Sequence, residues 1–279
     1  MKWFRTGILT ALAASGLSAA ASQLHLLPDA QPQCVFAGDA RKINVVWHNA
    51  GDKTVDETIH LRTIQTTSAT AVLLAEADWK ELETLPHQTI LESASLSFPD
   101  VKAETKFLIQ WLADTNQILG TTEVLVYPTN LLAELKPLVK GTRIGVYDPQ
   151  DELKPLLKNL PVDFDDLEKS GLTNFSGQLA VLGPFASRTQ MPDGFAKEVK
   201  ALAKKNVAVV WFQAAPGPNE KPTPSFYSVT ENTNSIIVVQ PALVSDLSEN
   251  PQAQRNLIYF CRLALEPQPL ALPELATQP

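Results

Sequence analysis

Histidine is scarce in this chain of 279 residues, and all four, His25, His48, His60 and His87, stand in its first third. Nucleophilic catalysis of the Ser-His or Cys-His kind needs a base within hydrogen-bond reach of the nucleophile. The sequence after His87 holds no imidazole to act as one, so no catalytic residue is assigned. Glycine is sparse too, at 12 against 21 prolines, which leaves little for phosphate-cradling loops. The motifs G-x-G-x-x-G, G-x-x-x-x-G-K-[ST], G-x-S-x-G and H-E-x-x-H are all missing. With the histidines scattered through strand-like segments, no metal site and no cofactor is expected. Basic blocks are likewise absent: 30 Asp and Glu outweigh 23 Lys and Arg, for a net charge of -7. Nothing in the chain neutralises a phosphate backbone, which excludes nucleic acid as a partner. After the first twenty residues no apolar run is long enough to cross a bilayer.

What is present begins with a targeting segment. Lys2 and Arg5 precede the short apolar run Gly7–Leu17, and Ser18-Ala19-Ala20-Ala21 supplies small residues for cleavage. Residues 1–21 therefore read as a signal peptide cut after Ala19 or Ala21, and the protein as secreted or periplasmic, with no membrane span once the signal is removed. Cys34 and Cys261 are the two cysteines. An oxidising compartment leaves a Cys34–Cys261 disulfide open, while the apolar setting of Cys261 in LIYFCRLAL favours two free thiols. A hydrophobic content of 44% is that of a folded chain rather than a disordered one.

The mature chain divides by periodicity. Residues 22–130 carry β-branched and aromatic segments with period-two alternation, at Lys42–Asn49, Asp56–Thr66, Thr89–Phe98, Thr105–Ala113 and Thr121–Tyr127. Hairpin spacing without helices predicts an antiparallel β-sandwich of immunoglobulin-like type. Phe107, Ile109 and Trp111 fall on one face of their strand and read as core, and Ala75–Leu85 reads as a short helical or looped excursion. Residues 131–141 read as a linker with a turn of helix. In residues 142–265 short apolar strands alternate with helices: Arg143–Tyr147, Glu152–Leu160, Val162–Leu167, Gln178–Leu182, Gly194–Asn206, Val207–Phe212, Ser235–Val239 and Asn256–Leu265. This grammar predicts an α/β domain with a parallel sheet covered on both faces. Residues 266–279, with four prolines, read as an extended tail.

Ligands of open parallel sheets bind beyond the carboxyl ends of the strands. Asp148, Arg188 and Gln213 are the polar side chains there, and they are the candidate ligand-binding residues. The loop Ala214–Pro224, rich in proline, follows the fourth of these strands and reads as a stiff solvated loop. Asp163, Asp165, Asp166 and Glu168 cluster as a local acidic run, which reads as a solvated face.

The phrases FPDVKAETKFLIQWLADTNQILGTTEVLVYP (Phe98–Pro128), LLAELKPL and RIGVYDP (Arg143–Pro149) resemble the non-catalytic domains of secreted glycoside hydrolase family 2-like, β-galactosidase-type proteins. The α/β half is also similar to a degenerate class I glutamine amidotransferase-like domain, of flavodoxin-like fold. That resemblance implies a non-enzymatic accessory or binding role on an enzyme-derived scaffold, because neither the catalytic barrel nor a Cys-His pair is present. A glycan or an envelope protein is the expected partner. The alternatives are a carboxylate-dependent hydrolase acting on a glycan, and a structural module of an envelope assembly.

Overall fold

The computed structural model describes residues 23–114, 116–185, 187–213, 224–231 and 234–266. The expected signal peptide (1–21), all of the tail except Glu266, and all of the Ala214–Pro224 loop except Pro224 lie outside the described residues. The N-terminal half is all strand: β1 (Leu24–Leu27), β2 (Gln33–Phe36), β3 (Gly38–Asn49), β4 (Val55–Thr66), β5 (Ala71–Thr84), β6 (Thr89–Phe98), β7 (Thr105–Leu112) and β8 (Ile118–Tyr127). One sheet runs in the order β1-β3-β6 and a second in the order β2-β8-β7-β4-β5. Neighbours pair antiparallel except β2, which lies parallel to β8. Alternation decides which side chains enter the space between the sheets. Phe107, Ile109 and Trp111 of β7 are fully buried. Trp111 packs against Trp47 at 5.8 Å and Trp79 at 5.0 Å between ring centres. Its indole N–H donates to the buried Thr122 hydroxyl at 3.0 Å.

Ala75–Leu85 is not a helical or looped excursion but most of β5, the edge of the second sheet. Two register shifts against β4, at Ile59/His60 and Thr63/Ile64, leave Trp79 and Leu74 as extra residues on β5. Each bulge breaks the period-two pattern and turns the exposed edge away from further pairing. An edge strand open to water also lacks the apolar alternation by which a strand is read.

Residues 131–141 are packed rather than loose. A 3-10 turn (Leu131–Glu134) runs into α1 (Leu135–Leu138), and Leu131, Leu132 and Leu135 are buried. There follow β9 (Ile144–Tyr147), α2 (Lys154–Lys158), β10 (Phe164–Asp166), α3 (Leu167–Ser170), β11 (Leu179–Leu182), α4 (Phe195–Lys204), β12 (Ala208–Phe212), β13 (Phe226–Glu231), β14 (Asn234–Val239) and α5 (Pro251–Leu265). The sheet order is β10-β9-β11-β12-β14-β13. Five strands are parallel and β13 pairs antiparallel with β14, so the sheet is mixed rather than purely parallel. Its inner strands β9, β11, β12 and β14 carry continuous apolar runs because both faces are covered there. Val181, Val210 and Ile237 share a core with Leu257, Cys261 and Ala264 of α5. Ala180, Val209 and Ile236 face Phe195, Val199 and Leu202 of α4. α5 starts earlier than the periodicity indicates: the Asn250 side chain accepts from the N–H groups of Gln252 and Ala253, and Pro251 takes the first turn.

The halves meet through a continuous apolar junction. Phe36 of β2 and Tyr127 of β8 belong to the same buried cluster as Leu132, Leu257 and Ile258.

Candidate functional site

The residues expected at the strand ends are placed as follows. Asp148, 2% exposed, points inward. Its carboxylate accepts from the backbone N–H groups of Glu152 at 3.2 Å, Leu153 at 2.8 Å and Lys154 at 2.9 Å. The sequence Asp148-Pro149 thus makes a turn whose acid caps the start of α2, satisfying donors that the helix leaves unpaired. Beside it the half of the acidic run nearest the sheet is drawn into the fold. The Lys154 side chain is 9% exposed, and its ammonium pairs with Asp166 at 3.1 Å and with Glu168. Burial pushes the Asp166 carboxyl up, but hydrogen bonds from Lys169 and Lys154 outweigh it and hold the group below the ordinary value. Glu152 is pushed up by burial first, then by the charges of Asp148 and Asp246. Arg188 opens an exposed 3-10 turn (Arg188–Gln190), and Gln213 accepts a long, 3.5 Å hydrogen bond from the Tyr227 hydroxyl. Phe185, 2% exposed, packs on Tyr147 and Phe195 beside these ends. The Asp148 carboxylate is therefore engaged in holding α2 rather than turned towards a ligand.

The histidines form their contacts on the surface of the sandwich. His87 meets Asp52 at 3.0 Å, and His48 meets the Thr89 hydroxyl at 2.9 Å. The His60 ring nitrogens reach Asp114 at 2.7 Å and Asp78 at 2.8 Å. These bonds, to Asp114 first and then Asp78, raise the His60 pKa above 6.5. His60 thereby ties the edge strand β5 to the turn after β7. A cation gained on folding stabilises fully below the unfolded pKa, and that contribution fades as pH rises through the higher folded value. Amides of β5 around Ala75–Asp78 are expected to be better protected from hydrogen exchange at pH 6 than at pH 9, after correction for intrinsic rates. His60→Gln is expected to abolish the difference; equal protection at both pH values in the parent chain would contradict the bridge.

A cleft of about 340 Å³ opens where the halves meet. It is lined from the sandwich by Lys102, Glu104 and Tyr127, from the connection by Leu131 and Glu134, and from α5 by Arg255, Tyr259 and Arg262. The α5 residues fall at i, i+4 and i+7, one helix face. Arg255 Nη1 donates to Glu104 Oε2 at 2.7 Å and to the Tyr127 hydroxyl at 2.8 Å, while that hydroxyl donates to Glu104 Oε2 at 3.0 Å. The guanidinium lies 5.4 Å from the Tyr127 ring centre. Burial pushes the Tyr127 phenol well up, so it stays protonated as a donor. Arg262 Nη2 bonds Glu134 Oε2 at 2.7 Å. Tyr259, 54% exposed, lines the same cleft as the two ion pairs. The arrangement offers two charged, planar hydrogen-bonding pairs and an aromatic face on a floor fixed by the junction core. Its residues come from positions about 150 apart in sequence, and no local motif announces them. The signal that was available is the Tyr259–Arg262 spacing on the expected helix Asn256–Leu265; Arg255 falls just before the start that periodicity gives it.

Both cysteines are free. Cys34 lies on β2, with its sulfur 3.9 Å from the Gln252 side-chain oxygen of α5. Cys261 is wholly enclosed in the core under α5, where burial pushes its thiol up to about 12. Burial also raises the Cys34 thiol.

No protein-family model and no curated protein matches the sequence. Similar solved structures include the alkylpurine DNA glycosylase AlkC of Pseudomonas fluorescens bound to DNA containing an abasic site analog, at 9% identity over 38% of this chain and 31% of that one, with a TM-score of 0.29. A β-glucosidase from Listeria innocua in complex with glucose matches at 14% identity over 38% and 16%, with a TM-score of 0.28. The sporulation control protein Spo0M of Bacillus subtilis matches at 11% identity over 42% and 56%, with a TM-score of 0.29. The chain spans less than two thirds of each of these proteins, and likenesses this distant carry no argument about function. The resemblance to family 2-like hydrolase domains accordingly has no family match behind it.

Proposed function

We propose that the protein is a secreted or periplasmic, non-enzymatic binding protein of two domains, and that the cleft at their junction takes a glycan. The strands β10-β9-β11-β12-β14, counted along the half they form, run 2-1-3-4-5, the order of flavodoxin-like sheets. The two facing sheets before them fit an immunoglobulin-like sandwich. The observation that carries the functional reading is that the two Arg–Glu bridges and the exposed Tyr259 line one cleft. Sugars present vicinal hydroxyls, which both donate and accept, beside a face of C–H groups. A guanidinium that donates next to a carboxylate that accepts matches the hydroxyls, and an aromatic ring matches the face. The cleft volume lies at the lower end of ligand sites, suiting one or two sugar rings.

Among the described residues, the strand-end acids Asp148, Asp166 and Glu168 are engaged by the α2 backbone or Lys154, and the cleft acids Glu104 and Glu134 by arginine. This supports recognition over hydrolysis. Screening of the folded protein against arrayed glycans is expected to yield a binder whose affinity falls at least about tenfold (1.4 kcal/mol) in Tyr259→Ala. Absence of any bound glycan, or a bound glycan indifferent to Tyr259→Ala and Arg262→Ala alike, would overturn the reading.

A further inference from the structure

We infer that His25 and His48, on the outer face of the first sheet, form a two-imidazole site for a divalent transition metal of tetrahedral preference, Zn(II) foremost. The two residues are direct cross-strand partners on β1 and β3. Their ring centres are 5.2 Å apart, with the planes at 79°. An imidazole bound to zinc at about 2.0–2.1 Å sets its ring centre about 3.2 Å from the ion, and two such rings at a tetrahedral angle stand about 5.2 Å apart. The edge-on contact of the two rings thus has the spacing that a shared ion would also set, and the pair can take one without a change of backbone register. The third member of the row supplies orientation: His48 Nδ1 lies 2.9 Å from the hydroxyl of Thr89, its partner on β6. A ring nitrogen held by an outer hydrogen bond leaves Nε2 for the metal, the arrangement by which metal-binding histidines are generally fixed.

Both rings are half-buried on a sheet face that is open to solvent, so an ion reaches them without unfolding. Among the described residues no group of three or more His, Cys, Asp or Glu is placed to hold a metal. The remaining two positions therefore fall to water, leaving the ion open to an outside ligand. The site is separate from the junction cleft and does not rest on the glycan reading. The sequence conceals it because neither short strand β1 nor its register with β3 is legible in four residues.

The test is a Zn(II) titration of the full chain by calorimetry, with Co(II) as the optical probe and histidine side-chain nitrogen NMR as the readout of ligation. The expected result is one saturable ion per chain, Co(II) bands of tetrahedral intensity, and metal-induced shifts confined to one nitrogen each of His25 and His48. His25→Gln and His48→Ala are each expected to lower affinity at least tenfold with an unchanged melting temperature, and Thr89→Val by about tenfold. His60→Ala and His87→Ala are expected to leave it intact. No saturable binding, binding that survives His48→Ala, or shifts at histidines other than this pair would overturn the assignment.

Discussion

Trp111→Ala is expected to destabilise the N-terminal half by about 4–5 kcal/mol, read as a shift of its urea transition. Deleting a buried aromatic costs about 3–5 kcal/mol through lost transfer free energy and the cavity left behind. Here the cavity opens in the middle of the three-tryptophan cluster, where Trp47 and Trp79 both rest on the deleted ring. The change also leaves the Thr122 hydroxyl, 2% exposed, without its donor. An unmade buried hydrogen bond adds about 1–3 kcal/mol. Trp111→Phe keeps most of the ring volume and is expected to lose about half as much, chiefly through Thr122. A loss under about 1 kcal/mol for the alanine variant would contradict the packing described.

Asp148→Ala is expected to cost the C-terminal half about 3 kcal/mol. The carboxylate accepts from successive N–H groups at the start of α2, two of them in buried surroundings. A lost cap typically costs up to about 2 kcal/mol, and the buried donors left unsatisfied add to it. Asp148→Asn retains one acceptor oxygen and is expected to recover roughly half of the loss. Hydrogen exchange of β9 and β11 amides measures both variants. A ligand-binding acid would behave in the opposite way, since its removal leaves stability unchanged and abolishes binding. Unchanged protection in Asp148→Ala would return this residue to the list of ligand contacts.

The difference between what the sequence discloses and what it hides follows from the range over which each interaction acts. Phe107, Ile109 and Trp111 are legible as core because alternation along one strand is a local property, as are the apolar runs of β9, β11 and β12. The helix α4 is legible because Phe195, Val199 and Leu202 repeat at its own period. β5 is illegible because two bulges and an exposed edge remove the alternation. β13 has the alternating residues of a strand in FYSVTE but follows a proline-rich loop, and its antiparallel pairing with β14 depends on chain reversal rather than on its own pattern. Asp148 is correctly marked as standing at a strand end, yet its inward turn depends on the N–H groups of Glu152, Leu153 and Lys154, four to six residues away. The cleft is the extreme case. Glu104 and Arg255 meet only after the junction core around Tyr127 and Leu132 has set the angle between the halves.

A glycan seated in the cleft between the halves has a direct spectroscopic signature. With a glycan selected on the array held at saturation, the arginine Nε–H and tyrosine ring resonances of the protein can be compared with those of the free state. The expected result is large shifts at Arg255, Arg262 and Tyr259, with the strand-end residues Arg188 and Gln213 and the sandwich tryptophans unmoved. Shifts clustered at the strand ends or on the sandwich, with the α5 arginines unchanged, would contradict it.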